Sequence, residues 1–178
     1  MRLFLAIDLP EEVKKSISQQ LEPFKKEYPD FRWVDESKYH ITLHFFGDKR
    51  DPKKLKDQIE EAVFETEPFQ MYVGGVELFM KDSLIFYLKF LRNRTVEDLV
   101  SRVREKFQSD NTKKFVPHIA IARYRIPSKQ QYLLIKKKIR QLDIEVDFQI
   151  TQITLYNSVI ESEKPLYETI AKIALQKS

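Results

Sequence analysis

The chain has 178 residues, of which 42% are hydrophobic and 33% charged, and its net charge is +4 at pH 7. This length and composition predict one globular domain or two small, closely packed lobes, and the slight positive charge leans towards an anionic partner such as RNA. The absence of cysteine excludes disulfides, thiolate metal sites and cysteine nucleophiles, and the absence of a long apolar stretch or signal peptide leads us to expect a cytoplasmic protein without a membrane partner.

Strands alternate with amphipathic helices in the first half of the chain. Apolar residues predict strands over residues 2–9, 31–34, 39–46 and 69–80. In the last of these, Gly74-Gly75 indicates a β-bulge. Two helices are predicted between the strands from apolar residues at helical spacing: Val13, Ile17, Leu21 and Phe24 in the first, and Leu55, Ile59, Ala62 and Val63 in the second.

The second half repeats this order of elements. It contains predicted strands at residues 83–90, 115–124, 144–156 and 166–175. Two further helices are predicted from apolar stripes: Val96, Leu99, Val100, Val103 and Phe107 in one, and Tyr132, Ile135, Ile139 and Leu142 in the other. The pattern, but not the residues, therefore recurs, roughly over residues 1–80 and 84–175.

The neighbouring strands favour hairpins rather than parallel crossovers. Residues 69–80 and 83–90 are separated by two residues, and residues 144–156 and 166–175 by a short polar segment. We therefore predict an α+β fold in which two antiparallel or mixed sheets line a groove, with the helices on their outer faces. A pseudo-twofold arrangement of this kind brings the two lobes to one central site.

Two histidines lie in similar short strands. His40 is followed by Thr42, and His118 is followed by Ala120, in each case on one strand face because side chains alternate with period two. A fold that brings the two strands together offers a facing pair of imidazoles. Two such groups, one acting as a general acid and one as a general base, are sufficient for acid–base catalysis at one phosphorus or carbonyl centre near neutral pH.

His44, four residues after His40, has the spacing of a helical zinc-binding pair. On a strand the two residues are roughly 13 Å apart at about 3.3 Å per residue, too far to share an ion. We therefore expect no metal site. By alternation His44 shares the face of His40, and we expect it to be a partly exposed polar residue at the rim of the groove.

Two segments resemble the paired H-x-T/S signature of the 2H phosphoesterase superfamily: HITLHFFG at residues 40–47 and PHIAIAR at residues 117–123. The opening RLFLAIDLP (2–10) resembles that of the RNA 2′,3′-cyclic phosphodiesterases, also called 2′-5′ RNA ligases. The closing segment is also similar, with ITLYNS at 153–158 followed by PLYE at 165–168. The resemblance spans nearly the whole chain.

The resemblance implies a single bilobal domain over residues 1–178 that opens 2′,3′-cyclic phosphates on RNA ends or nucleotides. The product has a 2′-phosphate and a free 3′-hydroxyl, no metal or cofactor is needed, and some members make or break 2′-5′ linkages. The family's catalytic residues correspond to His40 and His118, and its substrate-binding residues to Thr42 and Arg123. We expect His40 to be the acid and His118 the base, an assignment that pseudo-symmetry makes reversible, in a monomeric enzyme.

Two residues of the second motif differ from what the family pattern and a straight strand predict. Ala120 replaces the hydroxyl usual in the second motif, which would lose a phosphate hydrogen bond worth on the order of 1.5–3 kcal/mol. Arg123 lies five residues after His118, so it reaches the groove only if the strand bends near residues 122–124. Ala120 motivates one alternative, a non-catalytic protein that binds RNA ends or nucleotides. Another is a phosphodiesterase for a different cyclic phosphate or a 2′-5′ linkage.

The substrate's base is the least specified part of the site. The chain has thirteen Phe and eight Tyr, most of which must form the core. The sequence leaves Phe79, Tyr124 and Tyr156 as alternatives for a ring that stacks on a base.

Overall fold

The computed structural model describes residues 1–176, within which nine β-strands and four α-helices form. The strands are β1 (Arg2–Asp8), β2 (Arg32–Trp33), β3 (His40–Asp48), β4 (Phe69–Met80), β5 (Leu84–Phe90), β6 (His118–Tyr124), β7 (Asp147–Ile150), β8 (Gln152–Glu161) and β9 (Lys164–Ala174). The helices are α1 (Glu11–Glu27), α2 (Pro52–Val63), α3 (Arg94–Lys106) and α4 (Lys129–Ile139).

The strands form two antiparallel sheets. The first sheet has the order β3-β1-β8-β9 and the second the order β2-β6-β5-β4-β7. Apart from the short edge strand β2, the two orders correspond strand for strand, with β3 matching β6 and β1 matching β5. The predicted α+β fold with two sheets is confirmed. The division into repeats at residues 1–80 and 84–175 stays a prediction.

Helix starts follow from polar residues in the sequence. The side chain of Asp51 accepts a hydrogen bond from the backbone N–H of Lys54 at 2.9 Å, and Pro52 opens α2. Ser128 caps α4 and forms a reciprocal capping box with Gln131. These caps satisfy backbone donors that the first helical turn leaves unpaired.

The helices cover one face of each sheet. On the second sheet, the Phe24 ring of α1 stacks on Phe86 of β5 at 5.2 Å between centroids, and α4 packs on β4. On the first sheet, α3 packs on β3 and α2 on β9. Of the helices within residues 1–176, none is long and apolar enough to cross a membrane.

The predicted bulge in β4 is confirmed, whereas the predicted single strand at residues 144–156 is wrong. The β4–β5 register shifts between Val73 and Gly75, and Gly75 has a φ of 128°, which favours glycine. Residues 144–156 contain two strands, because the chain passes from β7 in the second sheet to β8 in the first at Thr151. Both pieces have β-forming residues, so composition does not mark the change of sheet.

A matched pair of leucines tests this assignment of the core. Leu99 in α3 is 0% exposed and Leu133 in α4 is 53% exposed. We predict that Leu99→Ala lowers the free energy of unfolding by about 2–5 kcal/mol, because it leaves a cavity. Leu133→Ala should change it by less than about 0.5 kcal/mol. Urea unfolding followed by circular dichroism measures both, and equal losses would contradict the assignment.

Candidate active site

His40 and His118 occupy the first positions of matching strands in different sheets. The residues that follow them, Ile41 and Ile119, are buried in the core, so both imidazoles lie on the helix-free face. Strands β3 and β6 contact each other. Burial is the main cause that lowers the pKa of His40, and the positive charge of His118 lowers it further. The two rings are thus within electrostatic reach across the space between the helix-free faces, which we call the groove.

The same local hydrogen bond fixes both imidazoles. Nδ1 of His40 lies 2.8 Å from the carbonyl oxygen of Lys38, and Nδ1 of His118 lies 2.8 Å from that of Val116. A carbonyl oxygen only accepts, so Nδ1 carries the proton in each neutral ring and Nε2 is left as the acceptor. Both rings therefore present a basic nitrogen when neutral and a donor when charged.

Thr42 lies beside His40 in the groove. Its Oγ1 is 3.1 Å from Nε2 of His40, so the hydroxyl donates to the neutral imidazole. In the second sheet the matching position is Ala120, which has no hydroxyl. The partners across the neighbouring strands also differ, since Thr42 is opposite Ala6 whereas Ala120 is opposite Tyr87.

A β-bulge brings Arg123 onto the face of His118. In the β5–β6 ladder Tyr87 pairs with Ala120 but Phe86 pairs with Ala122, which leaves Ile121 as an extra residue. Beyond it the alternation is reversed, so Arg123 lies on the same face as His118. The bend required for Arg123 to reach the groove is present.

The equivalent bulge in β3 moves His44 away from the groove. Leu5 pairs with His44 and Ala6 with Thr42, so His44 shares the core-facing side of Leu5. There it lies 3.3 Å from the Ser109 hydroxyl, and its ring is 4.8 Å from that of Phe46. The prediction that His44 shares the face of His40 is wrong, because one extra residue in the strand reverses the alternation.

A small aromatic cluster surrounds His40. The ring of Phe4 lies 5.4 Å from the imidazole, and the ring of Tyr167 meets it edge-on at 5.2 Å. With Ala6 and Tyr156 these residues form a hydrophobic cluster separate from the main core. Because this burial disfavours the charged imidazole, it lowers the pKa of His40.

A half-buried ion pair lies next to His40. Asp8 is opposite His40 in the β1–β3 ladder, and its carboxylate is 2.9 Å from Nζ of the buried Lys14. Nζ of Lys14 also donates to the carbonyl of Ser37 at 3.1 Å. The Asp8 carboxylate raises the pKa of His40 and so opposes the lowering that burial causes. The positive charge of Lys14 lowers the pKa of His40. A cavity of about 240 Å³ opens between these residues and Tyr167.

The groove face of the second sheet is polar. The Tyr87 ring lies 5.5 Å from the ring of His118, and its hydroxyl donates to Glu77 at 3.2 Å. Lys89 is opposite His118 in the ladder, and its Nζ lies 3.4 Å from Oε1 of Glu77. His118 is exposed, in contrast to the half-buried His40.

The chain matches the family model of the 2′-5′ RNA ligase superfamily over residues 10–159. It belongs to this superfamily. It is 30% identical to the RNA 2′,3′-cyclic phosphodiesterase of Methanocaldococcus jannaschii, covering 96% of this chain and 98% of the relative. The corresponding protein of Thermotoga maritima is 28% identical over 96% of this chain and 93% of its own length. These relatives place the chain among enzymes of the RNA 2′,3′-cyclic phosphodiesterase group, as the motifs predict.

Solved structures share the fold. The structure of E. coli LigT complexed with phosphate has a TM-score of 0.72 and 22% identity, with 99% of this chain and 98% of that chain covered. The structure of TT0787 of Thermus thermophilus has a TM-score of 0.68 and 23% identity, with 98% of each chain covered. These two structures thus share the two-sheet fold of this chain.

The three stacking candidates from the sequence occupy different places. Phe79 is exposed and lies opposite Ile85, on the groove side of its sheet. Tyr156 is buried in the cluster beside His40. Tyr124 packs against Phe31 at 4.7 Å, on the core side. Among described residues the structure therefore favours Phe79 over Tyr124 as a ring open to the groove.

Three groove residues were not predicted from the sequence: Asp8, Tyr87 and Tyr167. Alternation along a strand could have placed the first two on the groove face. Asp8 is four residues after Phe4 on the same strand face, and Tyr87 follows Phe86, whose side chain points into the core. Tyr167 could not be placed in this way, because its contact with His40 depends on how the β8–β9 hairpin is placed beside β1.

We predict that His40 titrates below the ordinary pKa of a histidine, because it is buried. Asp8→Asn should lower the pKa further, since it removes the carboxylate that raises it. Lys14→Met should raise the pKa, since it removes a cation that lowers it. Titration of the imidazole Cε1–H signal by NMR measures these shifts. Movement of both variants in the same direction would show that the pair does not act on His40 through charge.

Proposed function

We propose that this enzyme hydrolyses 2′,3′-cyclic phosphates on RNA or nucleosides to a 2′-phosphomonoester with a free 3′-hydroxyl. Acid–base catalysis by His40 and His118, without a metal or cofactor, carries the reaction. The observation that carries the proposal is the matched pair of imidazoles, each oriented by a carbonyl two residues before it and each on the groove face of its own sheet. The relatives named RNA 2′,3′-cyclic phosphodiesterase support the substrate class.

The two histidines divide the proton transfers. In-line attack places the nucleophile and the leaving oxygen on opposite sides of phosphorus, so one imidazole must lie on each side. His118 is exposed, which suits a base that takes a proton from water. His40 lies among aromatic rings that suit a nucleoside, so it serves as the acid for the departing 3′-oxygen. The phosphate's negative charge raises the pKa of His40 when substrate binds, which favours the acidic form.

Two further side chains bind the phosphate. The Thr42 hydroxyl, beside Nε2 of His40, donates to a non-bridging oxygen, and the Arg123 guanidinium neutralises charge that develops there. Charge-assisted hydrogen bonds of this kind are roughly twice as strong as neutral ones. We treat residues 1–178 as a single bilobal catalytic domain. We expect it to act as a cytoplasmic monomer.

We predict that His40→Ala and His118→Ala each lower kcat/KM for a 2′,3′-cyclic nucleotide by about 100- to 10,000-fold, because each removes a general acid or base. His44→Ala is the matched control, since His44 faces the core side and should keep wild-type turnover. Assays with EDTA and phosphorus NMR of the product test metal independence and the position of the phosphate. Circular dichroism verifies that each variant is folded.

A folded His40 or His118 variant with a tenth of wild-type turnover would mean that this histidine is structural. Activity lost in EDTA and restored by a divalent ion would rule out the proposed chemistry. Binding of the cyclic nucleotide without turnover would favour the alternative of a non-catalytic protein that binds RNA ends. Turnover of only another cyclic phosphate or a 2′-5′ linkage would identify a different phosphodiesterase.

Ala120 gives a separate prediction. Ala120→Thr places a hydroxyl beside His118, as Thr42 does beside His40, and threonine suits a strand. We predict a rise in kcat/KM for a 2′,3′-cyclic nucleotide of up to about tenfold, corresponding to roughly 1.4 kcal/mol. Ala120→Val has similar bulk next to Tyr87 but no hydroxyl, and it should not help. Equal effects of the two variants would show that the position acts only through packing.

A further inference from the structure

A second cavity, separate from the one beside His40, lies at the end of β6. It has a volume of about 420 Å³ and is lined by Arg32, Arg123, Arg125, Tyr124 and Asp30. Arg32 on β2 is directly opposite Arg123 on β6, so two neighbouring strands contribute adjacent guanidinium groups. Three cations therefore face this space against a single carboxylate.

We call Arg32, Arg123 and Arg125 the arginine cluster, and none of the three forms an ion pair with another described residue. Within residues 1–176, none of the salt bridges involves Asp30 either. Nε of Arg125 donates instead to the Tyr124 hydroxyl at 3.2 Å, which leaves its other donors open. Guanidinium groups with free donors bind phosphate oxygens in pairs of parallel hydrogen bonds.

The arginine cluster is continuous with the groove. Arg123 belongs to both, because the bulge at Ile121 places it on the face of His118 while it also lines the cavity. A chain with a phosphate between the two histidines can thus extend past Arg123 into the cavity.

We propose that the arginine cluster binds a second phosphate, the internucleotide phosphate on the 5′ side of the terminal nucleoside that carries the cyclic phosphate. This inference rests on the proposed function, and it assigns RNA ends rather than free nucleosides as the preferred substrate. Phosphate contacts supply most of the affinity of proteins for nucleic acid chains and are independent of base sequence. The 5′-phosphate of a mononucleotide offers the same chemistry, so the test separates the two sources.

Three substrates that differ by one group provide the test. They are adenosine 2′,3′-cyclic phosphate, the same compound with a 5′-phosphate, and the dinucleotide ApA with a terminal 2′,3′-cyclic phosphate. We predict that wild-type kcat/KM is at least about tenfold higher for the dinucleotide than for the nucleoside substrate, the effect of one hydrogen bond to a charged group. An equal gain from the 5′-phosphate alone would assign a terminal phosphate as the ligand instead.

The second part of the test substitutes Arg32 and Arg125, the two arginines of the cluster that lie outside the catalytic groove. The double variant Arg32→Gln/Arg125→Gln should remove most of the dinucleotide's advantage while it leaves kcat/KM for the nucleoside substrate within about twofold. Arg140→Gln, an exposed arginine at the end of α4, is the matched control and should change neither value. Equal kcat/KM for all three substrates in the wild type, or equal losses on all three in the double variant, would overturn the assignment.

Binding measurements keep this result separate from the outcome for catalysis. If no cyclic phosphate is hydrolysed, the proposed function fails, and calorimetry with adenosine 2′-phosphate and ApA 2′-phosphate still tests the arginine cluster. The double variant should weaken binding of the dinucleotide only. It should also reduce the slope of log K against log salt by about 0.7, as expected for one lost phosphate contact on a single strand. Unchanged dinucleotide binding and slope would exclude a phosphate site.

Discussion

The strict alternation of side chains along a β-strand is the constraint on which both halves of the groove depend. A regular strand would place residues at offsets zero, two and four from the histidine on one face. One extra residue, Leu43 in β3 and Ile121 in β6, interrupts this alternation just after the motif. The bulges keep Thr42 and Ala120 beside their histidines but send His44 to the core side and Arg123 to the groove. Without the bulge in β6, the guanidinium would lie on the opposite face from His118.

The orientation of each imidazole is a second consequence of local backbone. Because the hydrogen bond from Nδ1 runs to a carbonyl two residues earlier, the segment before each strand fixes the ring. No long-range partner is needed for this, which explains how two lobes with little sequence in common present the same nitrogen atom. The surroundings then make the rings different, since aromatic side chains bury His40 whereas His118 is exposed. The acid and base roles that we propose for the two histidines rest on this difference.

Most of the fold could be predicted, because the apolar periodicity is local. The two motifs are also local, and they identify His40, Thr42 and His118 as candidate site residues. The bulge at Gly75 was also predictable, since its φ of 128° requires glycine. The bulges in β3 and β6 were not, because leucine and isoleucine are ordinary strand residues and the positive-φ residues among those described do not include them. The change of sheet at Thr151 could not be predicted either, because the residues on both sides of it favour strands. The ladder register, and with it the side on which Arg123 lies, depends on contacts far apart in sequence.

Comparison of the matching ladder positions shows how the two lobes have diverged. The first lobe pairs Ala6 with Thr42, and the second pairs Tyr87 with Ala120, so each pair keeps one small residue and one with a hydroxyl. Thr42 is thereby free to contact His40, whereas the Tyr87 hydroxyl is held by Glu77. The wall that contains His40 carries the aromatic rings of Phe4, Tyr156 and Tyr167. The wall that contains His118 carries the cationic side chains of Lys89 and Arg123. Such a groove suits a ligand that has flat rings on one side and negative charge on the other, as a nucleoside phosphate does.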